Sequence, residues 1–286
     1  MNNLNIYKNW GKGFVEEVMN GASYEPSGVC PHQCWSETMV LQPAIEGMLG
    51  LIVNDGEKKV VISPHFPAGW DSVSVKNIRS GNCTFDLCMK RTDKSYYYTF
   101  TPHGNEKVNL EFSPTFPSGT KFSKITKDEN DIPFTSFNDQ KNVSLLIDFN
   151  LTETNLLQFN YDDGIEVLPA LTDPLPGSGP EGLRILSDRL FGYKYYIGVE
   201  GKRKTLGQID VYIHNQEIEK IENGTLTGSD GEICHIAVPF DPGQSKYQNK
   251  TVIIYLRQEP ATGKIVPYHK KGNKEKKENS PKCPRW

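Results

Sequence analysis

The chain has 286 residues, 36% of them hydrophobic and 23% charged, with 35 acidic residues against 32 Lys and Arg for a formal charge of -3. A globular chain of that length has room for two or three domains, each with its own core. The composition argues against nucleic acid, which needs a clustered basic face, and against a helical membrane anchor, since no apolar run approaches ~18 residues.

The first fifty residues read differently from the rest. Trp10, Phe14, Val15, Val18 and Met19 recur at spacings of three and four, and Asn20-Gly21 follows as a left-handed stop, so a short helix is expected there. After the loop SYEPSGVCP comes a second helical stripe of Trp35, Met39, Leu41, Ala44, Ile45, Met48 and Leu49, closed by Gly50. Pro43 lies inside that stripe and is expected to kink the helix or strand one carbonyl. A pair of helices cannot bury two apolar faces alone, so residues 1–54 are expected to pack against further helices or a sheet.

From residue 58 the period changes to two. KKVVISP, DSVSVKNI, CTFDLCMKR, SYYYTFTP, KVNLEFSP, KFSKITKD, VSLLIDFNL and LLQFNYDDGIEVL are separated by turn-forming clusters, which predicts an antiparallel β-sandwich over 55–168. Within it SPHFPAG (63–69) and SPTFPSG (113–119) repeat one pattern, read as a turn with an aromatic plug where a strand leaves the sheet. Tyr96-Tyr97-Tyr98 alternates along a strand and is assigned to cross-strand packing ahead of an exposed aromatic face. The Pro- and Gly-rich stretch 169–182 reads as a linker. Beyond it LRILSDRL, KYYIGVE, QIDVYIHN, GTLTG, CHIAVPF and TVIIYLR predict a second small sandwich over 183–260. Residues 261–286 form a Lys-rich tail of disordered composition. The fold class is therefore mainly β: two sandwiches preceded by a helical hairpin.

The densest chemistry lies in CPHQCWSETM (30–39). Cys30, His32 and Cys34 are soft ligands, but a structural zinc needs four, and the pair on offer, Cys83 and Cys88, sits on a strand with four residues between them. No metal and no cofactor is expected. Glu37 opens the second helix and suits its N-terminal dipole, whereas Glu16 and Glu17 sit in the last turn of the first, where acids are disfavoured, so function is one reason for them.

The order FVEEVMNG, a Pro-containing loop, CPHQCWSETMVLQPAIEGMLGL and then SPHFPAGWDSVSVKNI resembles the end of the catalytic domain in glycoside hydrolases with an (α/α)6 barrel. The match is best with the glycogen-debranching (amylo-alpha-1,6-glucosidase) family and covers about residues 8 to 90. The resemblance implies that residues 1–54 are the last hairpin of such a barrel. It also implies that Glu17, with Glu16 as the one-residue alternative, is the general base, and that His32, Gln33 and Trp35 border the sugar pocket. An inverting glycosidase also needs a protonated acid ~6.5–9.5 Å from that base. In the family the acid lies upstream of the penultimate helix.

The expected function is therefore that of a C-terminal segment of an α-glucoside hydrolase, inactive without its upstream catalytic segment, with an oligosaccharide or α-glucan as partner. The alternative is a non-catalytic sandwich module that binds carbohydrate or a partner protein. Plain structural readings compete at each residue: a solvated acid for Glu17, core packing for Trp35, a hydrogen-bonded structural ring for His32. MNNLNIYKNWGKGF lacks the apolar core of a secretory signal, and localisation stays open.

Overall fold

The computed structural model describes residues 34–104, 106–168, 183–243 and 245–257. It opens with helix α1 (Cys34–Gln42), which passes without a break into a π-helical segment (Pro43–Met48). Pro43 has no N–H to give to the α-helical ladder, and the chain answers by widening the helix: Leu49 N–H reaches back five residues to the Ala44 carbonyl at 3.0 Å. The expected kink is thus a change of helix type. Gly50, at φ +61°, ends the segment, and a Cβ there would lie 2.4 Å from the Ser63 carbonyl oxygen.

Twelve strands follow in the first sandwich: β1 (Leu51–Asn54), β2 (Lys59–Ile62), β3 (Ser72–Ser80), β4 (Cys83–Arg91), β5 (Ser95–His103), β6 (Val108–Phe112), β7 (Thr115–Pro117), β8 (Lys121–Lys127), β9 (Asn130–Asp131), β10 (Thr135–Asn138), β11 (Asn142–Leu151) and β12 (Asn155–Asp162). One sheet runs β1-β2-β6-β11-β10 with β7 also on β11, and the other runs β3-β4-β5-β12-β8-β9. Alternate residues point inward, as in β4, where Cys83, Phe85, Leu87 and Met89 are buried and their neighbours are not. Phe112, from the first sheet, meets Tyr98, Phe100 and Phe159 of the second at ring-centroid distances of 4.9, 5.1 and 6.4 Å. Tyr96 and Tyr98 face this core with Tyr97 on the other side, so the tyrosine run is packing, as expected.

The repeated SPxFP motif has a simple cause. Strands β2 and β6 lie side by side in parallel, Ile62 opposite Phe112, so the chain leaves both by equivalent turns. The turns then bond to each other, Ser113 N–H to the Ile62 carbonyl at 2.8 Å and Thr115 N–H to the Pro64 carbonyl at 2.9 Å. Phe66 and Phe116 plug the core beneath them.

The second sandwich has β13 (Ile165–Val167), β14 (Arg184–Phe191), β15 (Lys194–Lys202), β16 (Thr205–Ile213), β17 (Ile218–Glu222), β18 (Thr225–Asp230), β19 (Ile233–Phe240) and β20 (Tyr247–Leu256). Its sheets run β13-β16-β19-β18 and β14-β15-β20-β17 around a separate apolar core. The molecule is therefore mainly β, with two sandwiches. Phe240 fits a notch made by glycines: a Cβ on Gly201 would lie 2.2 Å from its ring, and one on Gly207 3.4 Å from it. Gly201→Ala is expected to overpack this core and cost about 1–3 kcal/mol in urea denaturation. An unchanged midpoint would show that the notch is not filled.

Two boundaries differ from the sequence reading. Residues 51–54, assigned with the helices, pair with β2 in the first sandwich. The run LLQFNYDDGIEVL, read as one strand of that sandwich, breaks at Asp163 (φ +57°) and Gly164 (φ +140°). Its second half, β13, pairs with β16, and Ile165 and Val167 join the second core. The chain crosses between cores at this turn, upstream of the Pro/Gly-rich stretch. Left-handed dihedrals at consecutive residues are what redirect it.

Cys34, Cys83 and Cys234 are free thiols. Cys88 is disulfide-bonded. Its partner lies outside the described residues. No described helix is long and apolar enough to cross a membrane.

Candidate functional site

Of the residues singled out by the resemblance, Glu16, Glu17, His32 and Gln33 lie outside the described residues. Trp35 falls in the first turn of α1, where the backbone alone is described. The described site is elsewhere, at the junction of the two sandwiches.

The junction has a locked part and an open part. In the locked part Arg91, at the end of β4, has its side chain 10% exposed and donates through Nη1 to Glu232 and Nη2 to Asp71, both at 2.9 Å. Its guanidinium lies 4.9 Å from the centroid of the Tyr212 ring. Glu232 also binds His214 Nδ1, while the Asn215 amide donates to His214 Nε2 at 3.1 Å. Those two partners fix the Nδ1–H tautomer, with the ring donating to Glu232. Tyr161, from β12, packs its ring at a tilt against His214 at 4.6 Å and against Tyr96 at the same distance, and its hydroxyl donates to the Thr92 carbonyl at 3.1 Å. Burial pushes the Tyr96, Tyr161 and Tyr212 hydroxyls above the usual phenol range, so all three are neutral at physiological pH.

Beneath the turn after β2 lies a second buried group. Glu166, from β13, accepts from Ala68 N–H through Oε1 at 3.4 Å, while its Oε2 is buried without a partner. Burial raises its carboxyl to about 7. Nearby, the Tyr195 hydroxyl donates to Asp188 at 2.7 Å and accepts from Val167 N–H at 3.0 Å.

The open part is a cleft of about 630 Å³ between the sandwiches. One wall carries Lys121, Asp162 and Asp163, and the other carries Tyr193, Asn215, Gln216, Glu217 and Arg257. Turn chemistry places these groups: Asp163 and Asn215 both adopt left-handed dihedrals, at φ +57° and +50°. Asn215 Nδ2 spans the cleft to Asp162 at 2.7 Å, and with a backbone N–H from Asp163 it holds the Asp162 carboxyl below its usual range. Lys121 pairs with Asp163 at 2.5 Å, and Arg257 with Glu217. Gln216 Oε1 is buried and has no partner. The sequence contained the turn signals, DDG and HN, but nothing in it says that the two turns meet.

No protein-family model matches the chain, and no curated protein does. Among solved structures it is similar to a GH127 beta-L-arabinofuranosidase from Geobacillus stearothermophilus T6, at 7% identity and a TM-score of 0.30. The match covers 79% of this chain and 34% of that one, so the chain spans about a third of its length. A likeness at this level carries no argument about activity.

Proposed function

We propose that the chain is part of a carbohydrate-active protein in which the two sandwiches are a rigid, non-catalytic support. The chemistry, hydrolysis of an α-glucoside with inversion, belongs on this reading to the helical segment before β1. Glu17 is its general base, with Glu16 as the alternative, and His32, Gln33 and Trp35 shape the sugar pocket. The observation that carries the reading is a set of exposed apolar side chains at the start of the described chain. Met39 and Leu41, on opposite sides of the helix, are 69% and 58% exposed, Ile45 is 44% exposed, and Ile52 on β1 is 64% exposed. The neighbouring Met48 and Leu49 anchor this segment to the first core, so these side chains are held where further helices would cover them.

The described carboxylates support the non-catalytic role of the sandwiches. Those at the junction are bound to Arg91, Asn215, Lys121 or Arg257. Glu166, the carboxyl raised to about 7, is covered by Ala68 rather than open to a substrate. An acid and base flanking a bound sugar need open space between them.

The test is glucose release from α-glucans by the protein expressed with its full flanking coding sequence. Glu17→Gln is expected to lower the rate by roughly a hundredfold or more, as loss of a general base does, and Glu16→Gln to leave it. Equal rates in the wild type and both variants would remove the base assignment.

A further inference from the structure

We infer that the cleft between the sandwiches binds a neutral oligosaccharide, with Tyr193 as the ring on which a sugar stacks. The inference rests on the carbohydrate reading above but not on hydrolysis. Its first support is charge. Each ionic group on the cleft walls already has a counterpart, Lys121 with Asp163 and Arg257 with Glu217, and the Asp162 carboxylate is held by the Asn215 amide. A phosphate or a carboxylate ligand would have to displace an existing ion pair, and a cation would have to strip a carboxylate from its donor. A polyhydroxyl ligand does neither: its hydroxyls donate to the spare carboxylate lone pairs and accept from the guanidinium N–H groups of Arg257 that Glu217 does not take.

The second support is an unmet demand. Gln216 lines the cleft and its Oε1, buried behind the wall, has no partner, so a turn of this uncommitted amide toward the cleft would let it accept from a ligand hydroxyl. The third is the aromatic ring. Tyr193 sits in the turn between β14 and β15 and is 40% exposed, while its own carbonyl is pinned by Leu256 N–H at 2.9 Å. A ring on a pinned backbone that lines about 630 Å³ of polar cleft, with the Lys194 ammonium 5.7 Å from its centroid, has the make-up of a small-ligand site: an apolar surface with a few placed polar groups in a volume of ~300–1,000 Å³. Because the adjoining Arg91–Glu232 and Tyr161–His214 contacts hold the two walls together, the cleft is formed before any ligand arrives.

Calorimetric titration of the purified chain with maltoheptaose, cellohexaose and xylohexaose tests this, with glucose 6-phosphate and glucuronate as charged controls. One of the neutral oligosaccharides is expected to bind, and Tyr193→Ala to weaken it at least tenfold, with the melting temperature unchanged because the ring is exposed. Tyr193→Phe, which keeps the ring, should retain the affinity, and Gln216→Leu should reduce it. Glu17→Gln should leave cleft binding intact, so failure of the hydrolase reading and failure of the cleft are read separately. The inference is overturned if none of the three oligosaccharides binds, if Tyr193→Ala binds as the wild type does, or if the charged controls bind more tightly than the neutral ones.

Discussion

Replacing Arg91 with alanine is expected to split the unfolding of the chain into two transitions and to cost about 1–3 kcal/mol, the range for removing charge-assisted hydrogen bonds whose acceptors keep some access to water. The side chain is 10% exposed and lies where the cores approach each other, bonded on one side to Asp71 of its own sandwich and on the other to Glu232 of the second. Truncation leaves Glu232 facing the junction with only His214 as its partner, and it removes the cation above the Tyr212 ring. Each sandwich keeps its own apolar core, so each has a reason to remain folded when the bridge is gone. Scanning calorimetry checks this: two separated heat-absorption peaks in Arg91→Ala against one in the wild type. Arg91→Lys keeps a charge but cannot bridge two carboxylates in one plane, and should fall between them. A single transition at the wild-type temperature would mean that the bridge does not couple the cores.

The same junction shows what could be read in advance. Strands such as β4 and β15 alternate buried and half-exposed residues almost without fault, and a pattern of period two marks them plainly. The strands β9, β10 and β17 went unseen because they border their sheets and bury little: every residue of β10 is exposed, so no alternation exists to be found. The crossing at Asp163–Gly164 was hidden for a different reason. NYDDGIEVL has apolar residues on both sides of a two-residue turn, and a turn within one sheet looks the same in sequence as a turn between two sandwiches. The junction network was beyond reach altogether, since Arg91 and Glu232 are 141 residues apart and each alone is an ordinary charge near a strand end. Resemblance to the debranching family pointed to Trp35 in α1 and to residues before that helix, whereas the cleft is made from turns that no motif marks.

The second large effect concerns pH. Glu166 titrates at about 7 in the folded chain against an ordinary value of 4.5, chiefly because burial disfavours its charged form. Between those two values the folded state holds a proton that the unfolded state has released, so stability falls as pH rises through this window. Below the unfolded value both states are protonated and there is no penalty. Above about 7 the chain must bury a charged carboxylate whose Oε2 has no partner. Glu166→Gln removes that charge while keeping an acceptor for Ala68 N–H. At pH 8 the variant is expected to exceed the wild type by about 3 kcal/mol, and near pH 4 by nothing, as measured by urea denaturation across the range. The acidic side behaves oppositely. Asp139, held low by backbone N–H groups of Asn142 and Lys141, and Asp162, held low by Asn215, contribute stability above their unfolded values that is lost as pH falls through their folded ones. The wild type should therefore be most stable in mildly acidic solution. Glu166→Gln should move that optimum upward, because the alkaline penalty goes and the acidic one stays. A gap between variant and wild type that does not widen from pH 4 to pH 8 would show that Glu166 is not the group responsible.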